Sequence, residues 1–193
     1  SAAAWRVKRA EKALLSVGIP ADALSVLDHN PSRDLPYHNN EHALSVVINT
    51  YEGAVRHGLP GRIIANLLAA ALFHDYSHVL GIDDAVNIER AIAVWRRNAA
   101  RFADYGVDVA EVEYLIASTK FPHDESERID VRIIRDADIL QATEPDAHRW
   151  LDALSAEKDE EFTINSSIEF LSSHLSTEWG IEKAQRWINT MYH

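Results

Sequence analysis

Along most of the chain apolar residues recur three and four positions apart, the spacing that lines one face of an α-helix. Alternating apolar and polar runs, and the Asn-Gly or Asp-Gly turns that join hairpins, are scarce. The pattern predicts an all-α protein with helices over 2–17, 21–28, 39–57, 60–79, 84–104, 108–119, 127–143, 146–156, 160–175 and 178–191. Gly18 and Pro20, Asn30 and Pro31, Gly58 and Pro60, Gly81, Gly106, Pro122, Pro145 and Gly180 punctuate it. The stretch 155–169, SAEKDEEFTINSSIE, is the most polar and has the weakest helical periodicity. Long linkers, low-complexity tracts and internal repeats are not evident, and 193 residues suffice for one core. We therefore expect a single domain over 1–193, with its polar motifs in 36–141 and further helices in 146–191.

Three segments interrupt the apolar pattern with histidine and aspartate: PYHNNEHALSVV at 36–47, LLAAALFHDYSHVLG at 67–81 and VRIIRDADILQ at 131–141. The middle one is the most telling. A greasy run from Leu67 to Phe73 leads straight into His74, Asp75 and His78, which a core helix has no packing reason to carry. Burying such groups unpaired costs about 1–3 kcal/mol each, and more for an ionised carboxylate. A cation would satisfy them. His74 and Asp75 diverge by about 100° on a helix and could grip an ion from two sides. His42 and an aspartate from 131–141 would complete two imidazoles and two carboxylates. Asp136 and Asp138 compete for the last place, because two positions on a helix point about 200° apart.

Composition narrows the chemistry. With no cysteine, thiolate ligands, cysteine nucleophiles and disulfides all drop out, so nitrogen and oxygen must hold any metal. Such a set suits Mn, Fe, Co, Ni, Zn or, less well, Mg. A formal net charge of -11 argues against coating duplex nucleic acid, yet leaves a small anion open if a divalent cation reverses the charge locally. No apolar run reaches the length of a membrane span, and SAAAWRVKRAEKALL reads as an amphipathic helix without the apolar core of a signal peptide. The expectation is a soluble, cytoplasmic protein with no membrane partner. Glycine-rich phosphate loops, G-x-S-x-G elbows and H-E-x-x-H motifs are absent from the sequence.

The order His42, then His74-Asp75, then a distant Asp resembles the HD superfamily of metal-dependent phosphohydrolases. YHNNEHA at 37–43 looks like the Y-H-N-x-x-H-A signature of cyclic-nucleotide phosphodiesterases, and HDYSH at 74–78 looks like their H-D-x-x-H. Similarity to small bacterial and phage HD hydrolases, which pair F-H-D with a late A-D-x-L, is as good, and the chain length favours them. The resemblance implies a compact multi-helix bundle in which His42, His74, Asp75 and the late Asp hold a first metal. Ala137-Asp138-Ile139-Leu140 matches the A-D-x-L and favours Asp138, which shares a face with Ile134 and Gln141. Asp136 would then pair with Arg132 or Arg135 on the helix surface.

Carried over by position, the resemblance implies that His38 protonates the leaving oxygen, one helical turn before His42. It leaves His78 to a second ion, to a water or to a core hydrogen bond. Asp83, or less readily Asp84, would orient the attacking water; both also suit a helix N-terminus. In Ser118-Thr119-Lys120-Phe121-Pro122-His123, Lys120 and His123 are candidates to bind phosphate, against the plainer reading of a helix stop. Asn87 and Glu89 could line the site or a solvated face. Of Trp5, Trp95, Trp150, Trp179 and Trp187, one could stack on a base. The expected activity is hydrolysis of a phosphate ester or anhydride, foremost a nucleoside monophosphate or deoxynucleoside triphosphate, with one divalent ion or two. Its rivals are a cyclic-nucleotide phosphodiesterase, against which stand the short chain and the lack of an assignable purine-gripping glutamine, Gln185 being the sole one downstream, and a non-catalytic metal-dependent ligand-binding or sensing protein. The resemblance also allows a homo-oligomer, formed through the Trp-bearing C-terminal helix.

Overall fold

A computed structural model describes residues 3–192. Among them run nine α-helices and no strand: α1 (Ala4–Ser16), α2 (Asn40–Arg56), α3 (Gly61–Phe73), α4 (Asp84–Ala103), α5 (Val109–Ser118), α6 (Ile129–Ile139), α7 (Ala147–Lys158), α8 (Ile164–His174) and α9 (Glu178–Tyr192). Two 3-10 turns, Ala21–His29 and Leu140–Thr143, stand where the periodicity predicts α-helix. The first helix was expected from residue 2, which lies outside the described residues. In the polar stretch 155–169, α7 ends and α8 begins; Asp159, in the left-handed region at φ 50°, closes the former, and a Thr163–Ser166 capping box opens the latter.

α2 and α3 form an antiparallel hairpin across the short turn at residues 57–60, and α1, α5 and α6 pack around it. Leu67 through Phe73 are all buried, so α3 is the central helix, apolar all round. Phe73, Trp95 and Phe102 meet edge to face, with ring centroids 5.3–5.5 Å apart. Arg6 of α1 is buried against Trp150 and joins Glu41, Glu144 and Asp146, fastening α7 to α2. Trp179 and Trp187 turn inward from α9. A Cβ at Gly53 would lie 2.7 Å from the Trp179 ring, so α9 crosses α2 where glycine stands.

The hairpin positions the site. It sets the first turn of α2 beside the end of α3, and α6 delivers its last turn to the same place, where His42, His74 and Asp138 touch. One helix N-terminus and two helix C-termini thus meet at one spot.

A candidate metal centre

α2 is capped by Asn39, whose side-chain oxygen accepts from the His42 N–H at 3.0 Å and so places His42 in the first turn. α3 stops at Phe73, six residues short of the predicted end. The Ser77 N–H, which a continuing helix would give to Phe73, instead donates to Asn30 Oδ1 at 3.0 Å, and Ser77 takes a φ of 61°. Arg90 holds the Ser77 carbonyl at 2.9 Å, and Asn87 clamps both backbone groups of Val79 at 2.9 and 3.0 Å. His74, Asp75 and His78 therefore project from a braced turn rather than from one helical face.

His42 Nε2 lies 3.0 Å from Asp75 Oδ2 and 3.1 Å from Asp138 Oδ1; His74 Nε2 lies 3.0 Å from each of the same oxygens. One ligand atom from each of the four residues falls within 4.8 Å of all the others. The other nitrogen of each ring is engaged: His74 Nδ1–H donates to the Ala71 carbonyl at 2.7 Å, and His42 Nδ1–H donates to Gln141 Oε1. With those protons fixed on Nδ1, both Nε2 lone pairs face carboxylate oxygens. Four electron-pair donors converge, so only added protons or a cation can reconcile them, and two nitrogens with two oxygens fit a divalent transition metal. The charges agree. Burial pulls the His42 imidazole down, but hydrogen bonds to Asp138 and Asp75 and their charge outweigh it and push it up to about 9. His74 rises likewise, and the facing imidazoles hold Asp75 and Asp138 below the usual carboxylate range although burial favours their neutral forms.

Asp136 lies elsewhere. It is buried, not on the surface, and accepts from Thr177 N at 2.8 Å, Thr177 Oγ1 at 2.6 Å and Ser176 N at 3.2 Å, tying α6 to the start of α9. Neither predicted arginine pairs with it: Arg135 holds Asp124 at 2.6 Å and the Ser118 carbonyl at 2.7 Å, while Arg132 reaches the Ser176 carbonyl. The reason is packing, since α9 covers the face of α6 that was expected to meet solvent.

His38 precedes α2 in a bend, so no helical turn links it to His42. Glu157 of α7 places it instead, accepting from His38 Nδ1 at 2.6 Å and from the Tyr37 and His38 N–H groups at 2.5 and 2.7 Å. Glu157 is held below the usual carboxylate range: burial alone would raise it, but the hydrogen bond and charge of His38 and the two backbone N–H groups outweigh that. The His78 ring stacks on His38 with centroids 4.0 Å apart and planes 12° from parallel. Parallel rings carry side-by-side lone pairs that do not converge, so this trio reads as a hydrogen-bonded dyad under a stacked ring. Burial and the neighbouring His38 keep His78 neutral, down to about 4, and its Nδ1, 4.0 Å from Asp75 Oδ1, has no hydrogen-bond partner among the described residues.

Asp75, Asp138, His38 and His78 share a cavity of about 660 Å³. His123 lines it too, as does Asp84, which holds the Phe121 N–H at 2.9 Å. Asp83 and Lys120 are exposed and are not among its lining residues; Asp83 stands at the N-terminal boundary of α4 and Lys120 just past the end of α5. Glu89 is exposed, Asn87 is a brace, and Gln185 bonds Asn189 on the outer face of α9. Of the tryptophans Trp150 reaches the cavity. Sequence reasoning missed Glu157, which sits among similar acids in the stretch read as least structured. Gln141 was visible only as a residue sharing a face with Asp138. No family model matches the chain, and no curated protein matches it.

Proposed function

We propose that this chain is a metal-dependent phosphohydrolase of the HD type, with His42 Nε2, His74 Nε2, Asp75 and Asp138 as the ligands of a divalent ion. One observation carries the proposal: the histidine side chains are sealed at 1% exposure, whereas the Asp75 and Asp138 carboxylates are 20% and 22% exposed on the cavity side. A structural metal site is closed by protein on every side, while a catalytic one keeps a face for water and substrate.

When bound, such an ion supplies Lewis-acid stabilisation of a phosphoryl oxygen and lowers the pKa of water. The chain's own residues do the rest. Ala71 and Gln141 fix the ligand tautomers by holding the Nδ1 protons. Glu157 holds the His38 Nδ1 proton, so that in the doubly protonated imidazolium the proton on Nε2 is the one passed to the leaving oxygen, leaving the ring neutral. His78, neutral and stacked, restricts the His38 ring to one orientation. Apolar side chains from α7 and α8, among them Leu151, Leu154 and Leu171, line the cavity beside the carboxylates.

The test is phosphate-ester turnover by EDTA-stripped protein resupplied with Mn, Co, Zn or Mg. Turnover is expected only with metal, and lost in H74A and D75N while circular dichroism keeps its helical signature. Undiminished turnover in either variant would overturn the assignment.

A further inference from the structure

The cavity that opens on the candidate metal centre carries a second message, in its charge and its aromatic surface. Among the described residues Lys158 is the one lysine or arginine along its wall, against the carboxylates of Asp84, Glu160 and Glu161, besides the two that would hold the metal. Neither Lys120, beside Phe121 in the chain, nor Arg135, held by Asp124 and the Ser118 carbonyl, is among the lining residues. A polyphosphate gathers several cationic side chains where it binds, and this wall offers the reverse. Phe121 and Phe170 are 40% and 38% exposed, although each is large and apolar. Both line the cavity, with ring centroids 5.7 Å apart. His174, stacked on Phe170 at 4.2 Å and 5.3 Å from Phe121, joins both rings in one aromatic cluster. Asp84 and Arg135 pin the loop that carries Phe121 and His123, so that surface is built into the fold.

We infer that the site takes a phosphate ester of low charge bearing an aromatic or otherwise apolar group that packs on Phe121 and Phe170, and that it rejects nucleoside triphosphates. The inference rests on the phosphohydrolase reading for its chemistry, and on the cavity alone for its choice of ligand. The volume, about 660 Å³, holds a ligand of drug-like size.

The test pairs turnover with binding. Protein in excess Mn²⁺ is assayed against p-nitrophenyl phosphate, bis(p-nitrophenyl) phosphate, methyl phosphate and dATP, and titrated calorimetrically with phenylphosphonate, methylphosphonate and tripolyphosphate. Aryl esters should be turned over about 100-fold better than dATP. Phenylphosphonate should bind about tenfold tighter than methylphosphonate, an advantage lost in F170A and in F121A, both exposed positions whose truncation leaves the core intact. Turnover of dATP equal to that of the aryl esters, or tripolyphosphate binding as tightly as phenylphosphonate, overturns the inference and leaves the phosphohydrolase reading standing. If nothing is turned over yet phenylphosphonate keeps its Phe170-dependent advantage, the ligand class stands and the hydrolase reading falls. Equal binding of phenylphosphonate and methylphosphonate sinks the aromatic subsite.

Discussion

At the scale of single residues, the protons of the His42 and His74 pair and a divalent cation are alternative occupants of one space, and this fixes the sign of a pH dependence. The folded His42 pKa is raised from the ordinary 6.5 to about 9. Metal-free protein therefore holds the full stabilisation from this group below about pH 6.5 and loses it as the pH rises through about 9. Urea unfolding in EDTA at pH 6, 7.5 and 9 should give a declining free energy, whereas transition-metal affinity should climb over the same range, because the ion must displace protons. Stability that is flat over that window in EDTA would contradict the lone-pair arrangement. The two neighbouring aspartates separate by the same logic. Asp138→Asn should abolish metal retention after dialysis and, in EDTA below about pH 6.5, lose part of the stabilisation that protonated His42 and His74 draw from its charge. Asp136→Asn should keep the metal but lose about 1–3 kcal/mol, because an amide cannot accept all three donors from Ser176 and Thr177.

Helices and turns carry the next level. α1 brings no residue to the cavity, yet its Arg6 is buried and engages Glu41, Glu144 and Asp146, so it orients the start of α7 and with it Glu157. Arg6→Ala leaves Glu144 without its cation and Glu41 and Asp146 with Arg149 alone, and should cost about 3 kcal/mol in urea unfolding; a loss below about 1 kcal/mol would show that α7 is held by packing alone. How much of this was legible in the sequence depended on whether the cause was local. Helix positions followed from apolar spacing and from glycine and proline punctuation, and the apolar run through Phe73 announced a buried helix. The early end of α3 did not, since it depends on Asn30, Asn87 and Arg90, which are remote from residues 74–78 or carry no special signal. His38 came to the site for a reason the sequence hides as well: a carboxylate 119 positions away holds it, in place of the helical turn the spacing suggested.

On the scale of the whole molecule, the ligand set joins α2, the end of α3 and the end of α6, segments separated by 32 and 63 positions in the chain. The burial argument made His74 and Asp75 readable, and the order of motifs suggested His42 and a late aspartate; which surfaces would be covered was not readable, so Asp136 was expected in solvent. An ion bound across three helices must stabilise them together, because the unfolded chain cannot present the four ligands at once. At one hundred times its dissociation constant it should add about 2.7 kcal/mol, which for a chain of this size corresponds to a rise in Tm of about 5–10 °C. A formal charge of -11 means that any divalent cation will also gather weakly at the surface, so the control must share that charge but not the chemistry. Ca²⁺ serves, being an ion that seeks six to eight oxygens and has little use for imidazole. Mn²⁺, Co²⁺ or Zn²⁺ should raise Tm in the wild type and leave it unmoved in Asp138→Asn, and Ca²⁺ at equal ionic strength should move neither. If Ca²⁺ raised Tm as much as Co²⁺ did, and Asp138→Asn responded like the wild type, the cation would be binding the acidic surface, and the four-residue cluster would have to be read as a proton-bridged core.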